Sequence, residues 1–264
     1  MQQADMRNYP PFVNRLADKV AIVTGGGSGL GAAIAGRFDA EGALVVVADV
    51  DVDAAKQTAS TLANGYAAQL DVRDEQQWIE LIGWVEAHHG RLDILVNNAG
   101  ITTMGSVEEL TLEAFKHELD VDVIGVFLGC KYGIGLMKKG GAGSIINMSS
   151  SAGLRADADL CAYNAAKSAV TLMSKSVALH CAREGYGIRC NSLHPGAIHT
   201  PIIDKVLAQV PNPEETLAHF VASHPIGHLG RAADIAAMAA FLAADESQFA
   251  TGAAFSVDGG NTAQ

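Results

Sequence analysis

Tyr163 and Lys167 are the residues whose types and spacing most directly indicate chemistry in this chain. They are four residues apart, so on a helix they lie on the same face. A phenol, with an ordinary pKa of about 10, is a poor base near neutral pH, but a neighbouring ammonium group favours the phenolate. Ser150, thirteen residues before Tyr163, follows a predicted strand and can hydrogen-bond a substrate oxygen. The three residues therefore predict proton removal from a hydroxyl group.

A glycine-rich turn at residues 24–31, TGGGSGLG, follows the first apolar run and leads into an amphipathic stretch. Its glycines let the backbone approach a pyrophosphate at the helix N-terminus, where unpaired N–H groups and the helix dipole favour negative charge. Asp49 ends the second apolar run, eighteen residues after Gly31, and its carboxylate can accept hydrogen bonds from a ribose diol. Together these features predict a dinucleotide site, with the candidate residues Gly25, Ser28, Gly29, Leu30, Gly31 and Asp49.

Asp49 also bears on which dinucleotide is bound. A 2′-phosphate would meet the negative charge of Asp49, and neither residues 25–36 nor residues 50–55 contain a Lys or Arg to compensate. The sequence therefore favours NAD over NADP. Asp71, followed by Val72, ends the third predicted strand and is placed to touch the adenine amino group. The alternative is that Asp71 helps to cap the helix that begins near Asp74.

The elements that must position these residues follow from the hydrophobic pattern. Short apolar runs predict strands over 20–23, 44–48, 67–70, 94–96, 144–148, 188–193 and 254–257. Apolar residues at helical spacing predict helices over 32–41, 53–63, 75–89, 112–137, 162–183 and 232–244. Runs such as 44–47 are apolar on both faces, as in parallel strands covered by helices on each side. The alternation predicts one α/β domain over residues 16–264 with a doubly wound, mainly parallel seven-stranded sheet, preceded by a tail of residues 1–15.

In this order and spacing, the motifs resemble those of the short-chain dehydrogenase/reductase family over nearly all of residues 16–262. The matching motifs are the turn at 24–31, NNAG at 97–100, Ser150 with Tyr163 and Lys167, and PG at 195–196. The resemblance implies a Rossmann fold and the reversible, nicotinamide-dependent oxidation of a secondary alcohol to a ketone. Within the family, the chain looks most similar to bacterial hydroxysteroid and cyclic-alcohol dehydrogenases.

The resemblance implies a role for each matching residue. Tyr163 is expected to accept the proton in alcohol oxidation, and Ser150 to orient the substrate oxygen. Lys167 is expected to bind the nicotinamide ribose and to tune Tyr163. Further expected contacts, which steady the sheet at the cofactor crevice and hold the carboxamide, are Asn98, Pro195, Ile198 and Thr200.

Asp122 is a departure from the family pattern. The family commonly has an Asn just before a Gly-x-Phe step in the long fourth helix, where it helps a water to connect the lysine with bulk solvent. Here Asp122 precedes VIGVF at 123–127. If the backbone carbonyl makes the water contact, Asp122 can substitute for Asn. If the side chain matters, an added carboxylate near Lys167 alters the proton relay, and Asp122 is therefore a candidate catalytic residue.

Composition narrows the class of partners. The 264 residues contain 29 Asp and Glu against 18 Lys and Arg, a formal net charge of −11, and no basic run. This composition argues against a nucleic-acid or membrane partner. The start of the chain is polar and no apolar run reaches about 18 residues, so we expect a cytoplasmic protein. The four cysteines have neither redox-pair nor zinc spacing, and no metal site is predicted.

Residues 200–224 are expected to form a small helical lid over the active site. Two stretches with apolar residues at helical spacing are separated by Pro211 and Pro213. An apolar lid favours a hydrophobic, cyclic or steroid-like alcohol or ketone, although packing of these residues on the body explains the pattern equally well. His194 and His199 either border the pocket or are structural, and a structural role is favoured.

Two other functions share parts of this pattern. A 3-oxoacyl thioester reductase has the same motifs, but it ordinarily uses NADPH and needs basic residues for its phosphopantetheine carrier, whereas this chain is acidic and has Asp49. A non-catalytic nucleotide-binding scaffold on the same fold is disfavoured by Ser150, Tyr163 and Lys167. The family also implies a homotetramer formed through the long helices and the C-terminal strand region.

Overall fold

One sheet of seven strands forms the centre of the protein, and each strand is parallel to its neighbours. The computed structural model describes residues 14–264. The strands are β1 (Val20–Thr24), β2 (Leu44–Asp49), β3 (Gly65–Gln69), β4 (Ile94–Asn97), β5 (Gly143–Met148), β6 (Ile188–Pro195) and β7 (Ala254–Val257). The predicted α/β fold with a doubly wound, seven-stranded sheet is confirmed.

The order of the strands creates a crevice at one end of the sheet. The order is β3-β2-β1-β4-β5-β6-β7, so the chain adds strands on one side of β1 and then continues on the other side with β4. In a sheet of this kind, the connections that follow β1 and β4 leave on opposite faces and open a crevice at the carboxyl ends of these strands. The glycine-rich turn follows β1 and the NNAG motif follows β4, so both predicted motifs lie at this crevice.

Nine α-helices are present within residues 14–264. They are α1 (Gly29–Ala40), α2 (Val52–Ala59), α3 (Glu75–His89), α4 (Leu112–Leu119), α5 (Gly125–Gly140), α6 (Cys161–Arg183), α7 (Pro201–Leu207), α8 (Pro213–Ala222) and α9 (Ala232–Ala243). Local signals set several ends. The Asp74 side chain accepts hydrogen bonds from the N–H groups of Gln76 and Gln77 at the start of α3, and Gly90, with φ of +70°, ends that helix.

The region predicted as one helix over 112–137 is divided. A π-helical turn, Asp120–Ile124, joins α4 to α5, and the Gly125 N–H donates to the carbonyl of Asp120 five residues earlier. Hydrophobic periodicity does not reveal such a turn, because the helical path continues through it. The turn contains the fully buried Asp122, and π turns of this kind are often found at functional sites.

The two faces of the sheet are covered by different helices. On one face, Ile34 and Phe38 of α1 and Leu242 of α9 pack against Val23 and Val45. On the other face, side chains of α3, α5 and α6, Trp78, Val85, Met137 and Val170 among them, pack against Ile22 and Val46. Successive strand residues thus bury opposite faces, which explains why the strand runs are apolar throughout.

The start of the described chain is fastened to the body of the protein. The Arg15 guanidinium lies 2.7 Å from Glu41, which follows α1, and 2.6 Å from Glu246. The hydrogen bond from Arg15 holds the pKa of the Glu41 carboxyl at about 2, well below its usual value. Arg15 is also the last residue of the predicted tail, of which residues 1–13 lie outside the described part of the chain.

Two glycines of α5 offer a matched test of packing in this core. A Cβ at Gly129 would lie 2.1 Å from Oδ1 of Asn97 and 2.9 Å from the Trp78 ring, whereas a Cβ at Gly135 would meet no described atom within 4 Å. Gly129→Ala should therefore lower the free energy of unfolding by about 1–3 kcal/mol through overpacking. Gly135→Ala should raise it by roughly 0.5–1 kcal/mol through helix propensity. Urea denaturation measures both changes, and equal effects would contradict this packing.

Candidate active site

The glycine-rich turn is held in shape from two sides. Gly25 has a φ of +61°, and a Cβ at this position would lie 2.8 Å from Cα of Ala99. A Cβ at Gly31 would lie 2.1 Å from the carbonyl oxygen of Gly25. Both positions therefore require glycine, because the turn approaches α1 and the segment after β4 too closely for a side chain.

The N-terminus of α1 opens into the cleft beside this turn. Ser28, Gly29 and Leu30 line the cleft, and Ser28 has no side-chain capping bond to the helix. The first intrahelical bond of this turn is donated by the N–H of Ala32 to the carbonyl of Ser28. The preceding N–H groups have no intrahelical acceptor, so the helix end presents donors and a positive dipole end to an anion.

Asn98 fastens the end of β4 to the turn. Its side-chain Nδ2 donates to the carbonyl of Thr24 at 2.9 Å and to that of Gly25 at 3.3 Å. The Thr24 hydroxyl oxygen accepts the N–H groups of Asn98 and Ala99, both at 3.0 Å. These four contacts close the crevice between β1 and β4 at its base.

The carboxylate of Asp49 is fixed at the end of β2. Its Oδ2 accepts the N–H of Gly27 at 2.9 Å, and its Oδ1 accepts the N–H of Asp51 at 3.0 Å. Asp49 and the exposed Val50 line the same cleft as the glycine-rich turn. A negative charge is therefore held beside the turn, at the position expected to face the adenosine ribose.

Asp71 lies at the next position along the cleft, two residues beyond the end of β3. Its carboxylate is 2.6 Å from the guanidinium of Arg73, and the hydrogen bond from Arg73 lowers the pKa of Asp71. The capping residue of α3 is Asp74, and the Asp71 side chain makes no capping bond to that helix among the described contacts. Asp71 and Val72 both line the cleft.

Three consecutive serines follow β5, and their environments differ. The hydroxyl of Ser149 is buried and donates to the carbonyl of Lys167 at 2.9 Å, which makes Ser149 a structural residue. Ser150 lines the cleft, and its Oγ accepts the N–H of Ala152 at 3.1 Å, which leaves the hydroxyl proton free to donate. Ser151 begins a short 3₁₀ turn.

His194 supports Ser150 from behind. Its Nδ1 lies 2.9 Å from the carbonyl oxygen of Ser150, and its Nε2 lies 2.8 Å from the Ser192 hydroxyl. A carbonyl oxygen can only accept, so Nδ1 carries the proton and Nε2 accepts from Ser192. Burial lowers the pKa of His194, which keeps the ring neutral. His194 is thus a structural histidine, and His199 is exposed.

Tyr163 and Lys167 lie one turn apart near the start of α6. The Lys167 Nζ is 5.3 Å from the centre of the Tyr163 ring and donates to the carbonyl of Met148 at 3.2 Å. Burial lowers the pKa of Lys167, but the charges of Asp122 and Tyr163 raise it, and the net pKa is above the usual value. Lys167 is therefore a buried cation beside the phenol.

The side chain of Asp122 provides the countercharge for Lys167. Its Oδ2 lies 2.8 Å from Nζ of Lys167, and both side chains are at least 96% buried. Its Oδ1 accepts the N–H of Ile101 at 2.8 Å. The carboxylate therefore contacts the lysine directly, which is the contact that the second alternative for Asp122 requires.

Glu118 is a further buried acid that the sequence reasoning did not include. It lies on α4 one turn before Asp122, is fully buried, and accepts the N–H of Thr103 at 2.9 Å. A spacing of four between Glu118 and Asp122 places both carboxyls on one helix face, and that face is apolar at other positions in the run. Two acids at a spacing of four on an otherwise apolar helix face are the sequence signal that indicates a buried Glu118.

The cleft has a volume of 570 Å³ and continues from the glycine-rich turn past Tyr163 to α7 and α8. The predicted cofactor contacts Pro195, Ile198 and Thr200 line it. Apolar side chains border the far end, together with a smaller number of cationic and imidazole groups. The apolar group contains Met104, Leu160, Ile202, Ile203, Val206 and Phe220, and the polar group contains Arg155, Lys205 and His219.

Comparison with known proteins identifies the family. A family model described as enoyl-(acyl carrier protein) reductase matches residues 25–262, from the glycine-rich turn to the segment after β7. Over 258 residues, the chain is 47% identical to the NADP-dependent (R)-specific alcohol dehydrogenase of Lentilactobacillus kefiri, a match that covers 96% of this chain and 100% of that protein. The chain belongs to the short-chain dehydrogenase/reductase family.

Two further members of the short-chain dehydrogenase/reductase family match over most of their length. The 3-alpha-(or 20-beta)-hydroxysteroid dehydrogenase of Mycobacterium bovis is 39% identical over 250 residues, with 94% of this chain and 91% of that protein covered. A crystal structure of a short-chain type dehydrogenase/reductase from Mycobacterium marinum superimposes with a TM-score of 0.88 at 28% identity, covering 96% of this chain and 98% of that chain.

This short-chain dehydrogenase/reductase has a cleft that fits the family's nicotinamide cofactor. The close approaches at Gly25 and Gly31 leave backbone, rather than side chains, beside the N-terminus of α1, as pyrophosphate binding requires. Asp49 at one end of the cleft and Lys167 at the other are suited to the two riboses. Within residues 14–264, none of the helices combines the length and apolar character needed to cross a membrane.

Asp122→Asn tests the role of the carboxylate beside Lys167. Asn keeps an acceptor for the Ile101 N–H but removes the charge 2.8 Å from Nζ. The ammonium then acts on Tyr163 without a countercharge, so the acidic limb of the pH profile of kcat/KM for alcohol oxidation, where activity rises as Tyr163 ionises, should move to lower pH by about one unit. Asp120→Asn, at an exposed position of the same π turn, is the control. An unchanged profile in Asp122→Asn would show that the side-chain charge has no role, and only the backbone carbonyl of residue 122 would then contribute to the proton relay.

Proposed function

We propose that this protein is an NAD-dependent dehydrogenase that reversibly oxidises a secondary alcohol to a ketone. The observation that carries the proposal is the buried Lys167 ammonium, which lies 5.3 Å from the Tyr163 ring at the cleft. Such a cation stabilises the phenolate that removes a hydroxyl proton. Relatives with printed alcohol and hydroxysteroid dehydrogenase activities, at 47% and 39% identity, support the same reaction class.

Tyr163, Lys167 and Ser150 each have a separate role in the proposed reaction. Tyr163 accepts the hydroxyl proton of the alcohol, and Lys167 favours its phenolate form. Ser150 donates a hydrogen bond to the substrate oxygen and is kept in position by His194 and Ala152. A bound nicotinamide supplies the hydride acceptor. In the reductive direction, Tyr163 returns the proton to the ketone oxygen.

The proposed substrate is a hydrophobic, cyclic or steroid-like alcohol or ketone. Support comes from the apolar side chains of Met104, Leu160, Val206 and Phe220 at the end of the cleft beyond Tyr163. The helices α7 and α8, which contribute Val206 and Phe220, are the proposed lid over residues 200–224. A bulky apolar molecule enclosed there would be removed from water, which favours its binding.

Tyr163→Phe tests the proposed mechanism. The variant should lose oxidation of the best substrate in a panel of cyclic alcohols and sterols by about 100- to 10,000-fold, because it lacks the group that takes the proton. NADH formation measures turnover, and calorimetry with NAD measures binding, which should persist. Tyr66→Phe, at a half-exposed position of β3, is the matched control.

Three outcomes of this experiment would count against the proposal. Full turnover in Tyr163→Phe would refute Tyr163 as the base. Turnover of a 3-oxoacyl thioester, without turnover of any cyclic alcohol, would favour the reductase alternative. Bound NAD with no turnover on any panel member would favour a nucleotide-binding scaffold.

The preference for NAD is proposed from Asp49. Although the Lentilactobacillus kefiri relative is NADP-dependent by name, residues 50–55 of this chain carry no cationic side chain, and Asp49 is held by two backbone N–H groups. A 2′-phosphate bound there would lie beside a fixed negative charge. The guanidinium of Arg73 does not offer a free cation for such a phosphate, because it is paired with the Asp71 carboxylate.

Asp49→Asn tests this preference. The variant keeps a hydrogen-bond acceptor but loses the charge, so the ratio of kcat/KM with NADP to kcat/KM with NAD should rise by about tenfold or more, equivalent to about 1.4 kcal/mol. Asp53→Asn, on the exposed side of α2, should leave the ratio unchanged. A wild-type enzyme that already prefers NADP would overturn the proposal.

The proposal extends to a homotetramer in the cytoplasm. Four large apolar side chains are exposed on α5, α6 and the π turn, and burial in a subunit interface would account for them. They are Ile124, Phe127, Leu172 and Leu179. Light scattering measures the assembly directly.

A further inference from the structure

Glu118 is a buried acid beside the catalytic groups that has no part in the mechanism given above. Its side chain is fully buried at the end of α4. One carboxyl oxygen accepts the N–H of Thr103 at 2.9 Å. The other, Oε1, has no hydrogen-bond partner among residues 14–264 and is itself buried. A buried carboxyl with one unpartnered oxygen is costly when it is ionised.

Glu118 and Asp122 bind the same segment of chain. Asp122 accepts the N–H of Ile101, and Glu118 accepts the N–H of Thr103, two residues further along. The segment, residues 99–104, follows β4 and lines the cleft. The two carboxyls therefore lie side by side, one helical turn apart, behind one wall of the site.

The charges in this region do not balance if both acids are ionised. Asp122 and Lys167 form a neutral pair, and Glu118 is a third group that makes no ion pair within residues 14–264. Burial raises the pKa of Glu118 to about 7, with the charge of Asp122 adding to the rise, while the Thr103 hydrogen bond and Lys167 oppose it.

The ionisable groups that face Glu118 come from two elements. The π turn contributes Asp122, and α6 contributes Lys167 with Tyr163 beside it. The segment 99–104 contributes none, since its residues are AGITTM. Lys116, His117 and Asp120, the charged or titratable neighbours of Glu118 on its own helical segment, are exposed. Glu118 is therefore coupled electrostatically to the site through Asp122 and Lys167.

We propose that Glu118 is a titratable positioning residue, which acts on Tyr163 through Asp122 and Lys167 by gaining or losing its own charge. This proposal rests on the proposed function in taking Tyr163 as the proton-transferring group. When Glu118 carries its proton, Asp122 and Lys167 balance each other. When Glu118 is ionised, the added negative charge offsets the attraction between the ammonium and a phenolate. Above neutral pH, Glu118 therefore keeps the tyrosine protonated, which is the form that ketone reduction requires.

The first test uses the cofactor-free protein and needs no turnover. Glu118→Gln keeps an acceptor for the Thr103 N–H but cannot ionise. In this variant, the phenol of Tyr163 should ionise at a pH lower by about 0.5 to 1 unit. Ultraviolet difference titration follows the phenolate, and Tyr163→Phe identifies the signal. Glu113→Gln, an exposed position on the same helix, should titrate like the wild type.

The second test observes the carboxyl group directly in the wild-type chain. In protein labelled with ¹³C at the glutamate carboxyls, one resonance should titrate near pH 7. It should be absent from Glu118→Gln, and it should titrate at lower pH in Asp122→Asn, which lacks the repelling charge. If every glutamate titrates in its ordinary range, the proposal is wrong, and this result does not depend on any variant folding.

The two tests separate an electrostatic role from an anchoring role. If Glu118→Gln only lowers the melting temperature and Tyr163 ionises at the wild-type pH, Glu118 is simply an anchor for Thr103 and the proposal fails. If the enzyme turns over no alcohol but the titrations shift as expected, the proposed function fails while the coupling between Glu118 and Tyr163 stands. With an active enzyme, the acidic limb of the oxidation profile, where activity rises as Tyr163 ionises, should move by the same amount as the Tyr163 titration.

Discussion

A lysine ammonium buried next to a phenol is the interaction on which the rest of this site depends. Transfer of a charge from water into a protein interior is strongly unfavourable unless a countercharge and hydrogen bonds replace the lost hydration. Asp122 supplies the countercharge at 2.8 Å, and the Met148 carbonyl supplies an acceptor at 3.2 Å. Because Lys167 lies on a helix, its cation is kept one turn from Tyr163.

The need to bring Asp122 to Lys167 explains the local architecture around it. The π turn gives the helical path one extra residue at Asp120–Ile124, and this turn is the point at which α4 becomes α5. The same carboxylate accepts the N–H of Ile101, so the segment that follows β4 is fixed to the helix that carries the countercharge. Gly100 makes this approach possible, since a Cβ there would lie 3.0 Å from Oδ2 of Asp122 and 3.2 Å from Nζ of Lys167. The Asp122 carboxylate therefore holds the cleft wall and the Lys167 ammonium in place together.

Much of the fold could be predicted from the sequence because strand and helix patterns are local. The seven apolar runs correspond to the seven strands, and β7 matches residue for residue at 254–257. The structure places β3 at 65–69, whereas the apolar run predicts 67–70. The difference arises because Gly65 and Tyr66 begin this edge strand without an apolar run. Hydrophobic periodicity also gave no sign of the π turn, which depends on contacts from Asp122 to residues distant in the sequence.

The site itself was predictable to a different degree. The glycine-rich run at 24–31 and the spacing of Tyr163 and Lys167 are visible as local patterns, so the sequence alone indicates them. The distinction between Ser149 and Ser150 needs tertiary structure, because it depends on which hydroxyl is bound by α6. Glu118 was missed for a related reason. A glutamate on a helix is ordinarily solvated, and only the packing of α4 against α6 and residues 99–104 shows that this one is buried.

The cofactor preference proposed above depends on one residue in a chain that is otherwise similar to an NADP-dependent relative. Nearly half of the residues aligned with the Lentilactobacillus kefiri enzyme are identical, and that enzyme is NADP-dependent by name. NADP differs from NAD by a 2′-phosphate, and Asp49 at the end of β2 is the residue proposed to face it. There the Asp49 carboxylate is held by the N–H groups of Gly27 and Asp51, so it cannot turn away from an incoming phosphate without breaking both bonds. In the proposed site, a 2′-phosphate would therefore meet a carboxylate that two backbone N–H groups hold in place, and overall identity says little about this contact.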